Sequence, residues 1–82
     1  MKTTKIVEIL GWYGAAAITL AYVLSSFSLL TTTDIRYQLL NATGALGIMV
    51  ISYAKKVYQP VVLNLIWFVI AIVAIIRSVF TA

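Results

Sequence analysis

Gln59-Pro60-Val61-Val62-Leu63-Asn64-Leu65-Ile66-Trp67-Phe68-Val69-Ile70-Ala71-Ile72-Val73-Ala74-Ile75-Ile76, closed by Arg77, is the stretch whose reading decides the fold. Between Pro60 and Ile76 there is no charge and a single strongly polar side chain, Asn64. At 1.5 Å per residue these roughly 17 residues make a helix of about 25 Å. With its flanks, that length crosses a hydrocarbon core of about 30 Å. Proline suits the first helical turn, where its missing N–H costs nothing. Arg77 suits the negative end of the helix at the far interface.

The composition agrees. Of the 82 residues, 63% are hydrophobic and 10% charged, and the mean hydropathy is +1.08. Soluble domains carry about 25% charged residues, and a chain this short could not hide so much apolar surface from water. The lipid bilayer is therefore the first expected partner. Histidine and cysteine are both absent, which removes the usual zinc, haem and iron–sulfur ligand sets as well as disulfides. No cofactor and no metal is expected. The net charge of +4 raises the question of nucleic acid. The basic residues sit one or two at a time beside apolar runs, so membrane topology explains them and nucleic acid is not expected.

Upstream, the apolar run from Ile6 to about Leu30 is roughly 25 residues, longer than the 7–15 of a signal-peptide core. It is read as a retained first helix, with Trp12 and Tyr13 near its start in the aromatic belt. Thr31-Thr32-Thr33-Asp34 breaks the run, and Asp34 is an N-cap for a second helix. Ala54-Lys55-Lys56-Val57-Tyr58-Gln59 connects to the third. The expectation is one all-α domain over residues 1–82, an integral membrane three-helix bundle with helices at about 6–30, 36–53 and 60–77. Lys2, Lys5, Lys55 and Lys56 fall on one side, Arg36 and Arg77 on the other. Four against two puts the amino terminus in the cytoplasm and the carboxyl terminus outside.

Small residues mark close helix packing: Gly11, Gly14, Ala15, Ala17 and Ala21 on the first helix, Gly44, Ala45 and Gly47 on the second. On the third, Asn64, Trp67, Ala71 and Ala74 share one face by their 3–4 spacing. Tyr22 and Asn41 fall about 6 Å to the outer side of their helix midpoints, and Asn64 about 6 Å to the inner side of its own. The four candidate solute-binding residues are Asn64, Trp67, Asn41 and Tyr22. Intramembrane polar groups of this kind either bond neighbouring helices or line a polar pathway. No catalytic constellation is present, because the only carboxylates, Glu8 and Asp34, fall on opposite sides of the membrane. An enzyme is not expected.

About 80 residues, three helices, a short loop before a proline-led third helix and an asparagine one turn in: this layout resembles the SemiSWEET group of bacterial half-transporters, in the broader PQ-loop (MtN3-like) class. Through Tyr37-Gln38-Leu39-Leu40-Asn41, Gly44-Ala45-Leu46-Gly47 and Pro60-Val61-Val62-Leu63-Asn64-Leu65-Ile66-Trp67 the chain is closer still to an uncharacterised family of short bacterial three-helix membrane proteins. The resemblance implies a bacterial inner-membrane bundle whose third helix lies between the first two, and a parallel homodimer around one cavity. It implies transport of a small neutral polar solute such as a sugar, with Asn64 facing it. The name-giving Pro-Gln pair is absent near Tyr22 to Ser25. Ile48 or Met49 stands where those proteins carry a tryptophan, which leaves Trp67 to substitute. The rival expectation is an accessory subunit packed against a larger membrane complex.

Overall fold

A computed structural model describes residues 4–81. Three helices follow in order, α1 (Lys5–Ser26), α2 (Ile35–Ala54) and α3 (Tyr58–Thr81). Two of them, over Lys5–Ser26 and Tyr58–Phe80, are long and apolar enough to cross a membrane. Only 17% and 11% of their most apolar windows are buried inside the protein, whereas the core helix of a soluble domain would be mostly covered. The apolar side chains point outward instead, among them Ile9, Leu20, Val62, Ile66, Val69 and Ile70.

Caps set the helix boundaries. Thr4 Oγ1 accepts from the Val7 N–H at 3.3 Å and starts α1. Asp34 starts α2 as expected: Oδ1 accepts from the Arg36 N–H at 2.8 Å and from Arg36 Nε at 3.1 Å, and Oδ2 accepts from Nη2 at 2.9 Å. Both α1 and α2 end in Schellman motifs. In α1, Ser28 N–H donates to Ser25 C=O and Leu29 N–H to Leu24 C=O, with Ser28 at φ 61°. In α2, Lys56 N–H donates to Tyr53 C=O and Val57 N–H to Ser52 C=O, with Lys56 at φ 58°.

Three expected boundaries need correction. α1 ends at Ser26 and not near Leu30, because Ser25 and Ser26 lead into the left-handed turn at Ser28. The apolar residues Phe27, Leu29 and Leu30 continue the hydrophobic pattern in a turn. Hydrophobicity reports the surroundings of a residue, and here it outlasts the helix. α3 begins at Tyr58, so that Pro60 is third in the first turn, and it runs past Arg77 to Thr81. Nothing after Arg77 breaks a helix, and Pro60 has no partner to lose in that first turn.

The Asp34 cap has a pH signature. The Arg36 side-chain hydrogen bond, then the Arg36 backbone N–H, hold its carboxyl below the usual aspartate value of 3.8. A depressed folded value means that the contribution is complete above the unfolded value and is lost as pH falls through the folded one. Thermal melts should be flat from about pH 8 to 5 and decline below about pH 4. Asp34→Asn, which keeps a capping oxygen without the charge, should remove its share of that decline. An unchanged decline in Asp34→Asn would show that the cap charge contributes nothing.

α2 lies in the middle. It packs on both α1 and α3, and among the described residues no Cα atoms of α1 and α3 come within 8 Å of each other. The order α1–α2–α3 corrects the arrangement that the PQ-loop resemblance implies, in which the third helix is central. The reason is the distribution of small side chains. Gly44 and Gly47 of α2 meet Gly14 on the α1 side: a Cβ on Gly14 would lie 2.5 Å from the Gly44 carbonyl oxygen, and one on Gly47 would run into the Leu10 carbonyl. Ala17 and Ala21 continue this seam, both buried. Ala42 and Ala45, also buried, turn by helical periodicity toward α3. There the buried residues Asn64 and Ala71 complete the second seam. A helix small on two faces can be approached closely from both.

Candidate functional site

Two contacts fix the two sides of this layer of helices. Tyr13 Oη and Thr43 Oγ1 share a hydrogen bond of 2.7 Å across α1 and α2 on one side. Lys55 Nζ lies 3.6 Å from Glu8 Oε1 on the other. Helical periodicity then places Tyr22 of α1, Asn41 of α2 and Trp67 of α3 on the Lys55–Glu8 side. Val61 marks the opposite edge of the α3 seam, since it lines a groove with Leu46, Val50 and Tyr53 of the far face of α2. Three of the four candidate residues thus share one face, open between α1 and α3, whose backbones stay apart among the described residues.

Tyr22 is 69% exposed and Trp67 41% exposed, while Asn41 is half-buried on the floor. Among the described residues no hydrogen bond joins any two of the four candidates. Their depths differ as well. With α1 ending at Ser26, Tyr22 moves to about 10 Å from the α1 midpoint, nearer the interface than the sequence suggested. Asn41 and Asn64 stand on the order of 13 Å apart along the helix axes. The face is a ladder of polar groups along the bundle axis rather than a cluster at one level.

Asn64 is set apart. It is 4% exposed, packed into the α2–α3 seam behind the open face. Its Nδ2 donates to the Pro60 carbonyl at 2.8 Å, one turn earlier in its own helix. Its Oδ1 is buried without a partner. The expected alternatives for this amide were a bond to a neighbouring helix or a role in a polar pathway. Within one chain it bonds its own backbone, and one acceptor is left over. Buried carbonyl oxygens of this kind are uncommon.

A second such group is Gln38, 9% exposed. Its Nε2 donates to the Thr32 carbonyl at 2.6 Å and ties the first loop to α2, while Oε1 has no partner. The sequence reading did not single it out. The available signal was an amide on the same face of α2 as the small residues Ala42 and Ala45. Lys5, Lys55 and Lys56 gather at one end of the bundle, and Arg36 and Arg77 at the other. Lys2, the fourth lysine of the topology count, lies outside the described residues. Among the described residues no group of His, Cys, Asp or Glu could hold a metal ion.

Against known proteins, one family model matches residues 7–82, nearly the whole chain. The chain belongs to that family. The family carries no assigned activity, so membership fixes kinship and leaves function to the geometry. No curated protein and no solved structure matches the chain.

Proposed function

We propose that the chain spans a bacterial inner membrane three times, amino terminus in the cytoplasm and carboxyl terminus outside, and works as a parallel homodimer that facilitates passage of a small neutral polar solute such as a sugar. The observation that carries this reading is the open face bearing Tyr22, Asn41 and Trp67. Hydrocarbon cannot satisfy a phenol hydroxyl, an amide and an indole N–H at membrane depth, so the face needs protein or water against it. A second copy, related by an axis along the membrane normal, sets the same three groups opposite themselves and encloses the space between α1 and α3. The bundle's long dimension of 44 Å suits a bilayer of about 40–45 Å including headgroups. α2 is the most polar helix, and its place between the other two covers Gln38 and half-buries Asn41, while Leu39, Leu46 and Val50 face the lipid. Asn41 and Tyr22 supply hydrogen bonds to hydroxyls, and Trp67 supplies an apolar face for stacking. Asn64 lies behind them with an acceptor in reserve. The SemiSWEET-like resemblance points to the same class of activity.

Purified protein in liposomes should pass at least one solute from a panel of sugars, polyols and neutral amino acids. Trp67→Leu and Asn41→Leu should each lower that flux by about tenfold or more, since each removes one contact worth about 1.4 kcal/mol or more in the passing state. No flux for the whole panel overturns the facilitator. The second reading, an accessory subunit that docks this face on a larger membrane assembly, is favoured by the central α2, which departs from the half-transporter arrangement. Co-purification at fixed stoichiometry with such an assembly selects it.

A further inference from the structure

We propose that the groove at the Lys56 end of α3 seats an anionic phospholipid, its phosphate on Lys56 and an acyl chain along Val62, Leu63 and Ile66. This groove, of about 750 Å³, is lined by Lys56, Tyr58, Gln59, Val62, Leu63 and Ile66. Gln59, Val62, Leu63 and Ile66 follow i, i+3, i+4, i+7 spacing and form one stripe about 11 Å long. The stripe points away from the Asn64–Ala71 seam, so its occupant comes from the lipid side. Its mouth is polar and its far end apolar, as a phospholipid is. Two other grooves, one along Trp12, Ala15 and Thr19 and one along Leu46, Val50 and Tyr53, have no charged residue in their walls.

Charge decides which lipid. Lys55 is engaged with Glu8, whereas Lys56 has no carboxylate partner among the described residues. Among the described residues this end of the bundle sets Lys5, Lys55 and Lys56 against Glu8, three positive charges against one negative. The two Schellman bonds hold Lys56 at φ 58°, a conformation that glycine would adopt with less strain. A lysine there turns its side chain off the α2 axis and onto the wall of α3. The Tyr58 ring meets Tyr53 edge-on at 6.2 Å, which keeps the phenol at the groove mouth. An ammonium, a phenol hydroxyl and an amide at the interfacial end of an apolar channel match a phosphodiester and its glycerol oxygens. A choline headgroup would bring its own positive charge against Lys56.

The test is retention of lipid by the purified full chain, read by native mass spectrometry after extraction from vesicles of phosphatidylcholine mixed equally with phosphatidylglycerol. Wild type should keep phosphatidylglycerol over phosphatidylcholine by about fivefold, the effect of one well-placed lysine at an anionic surface. Lys56→Gln should abolish the preference, and Lys55→Gln should keep it. Lys56→Gly, which relaxes the backbone, should lose the preference while melting no lower than wild type. Inorganic phosphate at millimolar concentration should displace nothing. Equal losses in Lys55→Gln and Lys56→Gln, no preference in wild type, or displacement by inorganic phosphate would each overturn the proposal.

Discussion

Gly47→Ala should lower the stability of the bundle by about 1–3 kcal/mol, the cost of overpacking a closed site. The sign is what makes the result informative. In an open helix the same change gains about 0.8–1 kcal/mol, because alanine is the better helix former. Here the added Cβ meets backbone, the Leu10 carbonyl oxygen, with the Gly14 N and Cα both at 3.2 Å. Backbone cannot rotate away as a side chain can, so α1 and α2 must move apart along the seam. Gly11→Ala offers a graded case. Its Cβ meets the side chain of Ile51 at 2.8 Å, and a β-branched side chain yields only in part. Ala16→Gly on the exposed face of α1 is the control, expected to lose only the propensity difference of about 1 kcal/mol. Reversible unfolding of the three variants in mild detergent, followed by helical circular dichroism, ranks them. A Gly47→Ala protein as stable as wild type would mean that the two helices do not approach this closely.

The same seam shows what the sequence made legible and what it did not. Asp34 announced the start of α2 because capping is a local chemical device, written in one side chain. Pro60 and the uncharged run after it announced α3 for a similar reason. The end of α1 was hidden, since Phe27, Leu29 and Leu30 continue an apolar pattern that describes the surroundings and not the backbone. The helix order was hidden more deeply. Gly44, Ala45 and Gly47 were recognised together as packing residues, but they divide between two faces of α2, and only that division makes α2 the central helix. For the site, periodicity put Asn64, Trp67, Ala71 and Ala74 on one face, whereas the structure buries Asn64 and Ala71 in a seam and leaves Trp67 exposed at its edge. Periodicity could not show that the Asn64 amide turns back on Pro60, because a side-chain torsion leaves no trace in spacing. Gln38 and Lys56 were passed over for the same kind of reason: one depends on a loop carbonyl, the other on a left-handed turn.

Asn64→Leu should raise the stability of the solute-free protein while abolishing flux. Asn64 Nδ2 adds a second bond to the Pro60 carbonyl, which helix geometry already pairs with the Asn64 backbone N–H. Removing the side chain therefore strands no partner on another helix. It does remove Oδ1, a buried acceptor without a partner, and such a group costs about 1–3 kcal/mol. Leucine is bulkier than asparagine, so Asn64→Ala is needed beside it to bracket the volume, with a small cavity replacing a small overlap. The leucine variant should melt higher, and the alanine variant should not fall far below wild type. If Oδ1 is kept as an acceptor for the solute, the stability gained is matched by function lost. Flux then disappears in both variants, and wild-type stabilisation by the transported solute disappears with it. A solute-free melt lower in both variants than in wild type would show that the Asn64 side chain stabilises the bundle and is not held in reserve. Asn64 would then belong to the packing of the α2–α3 seam, and the solute would pass on Tyr22, Asn41 and Trp67 alone.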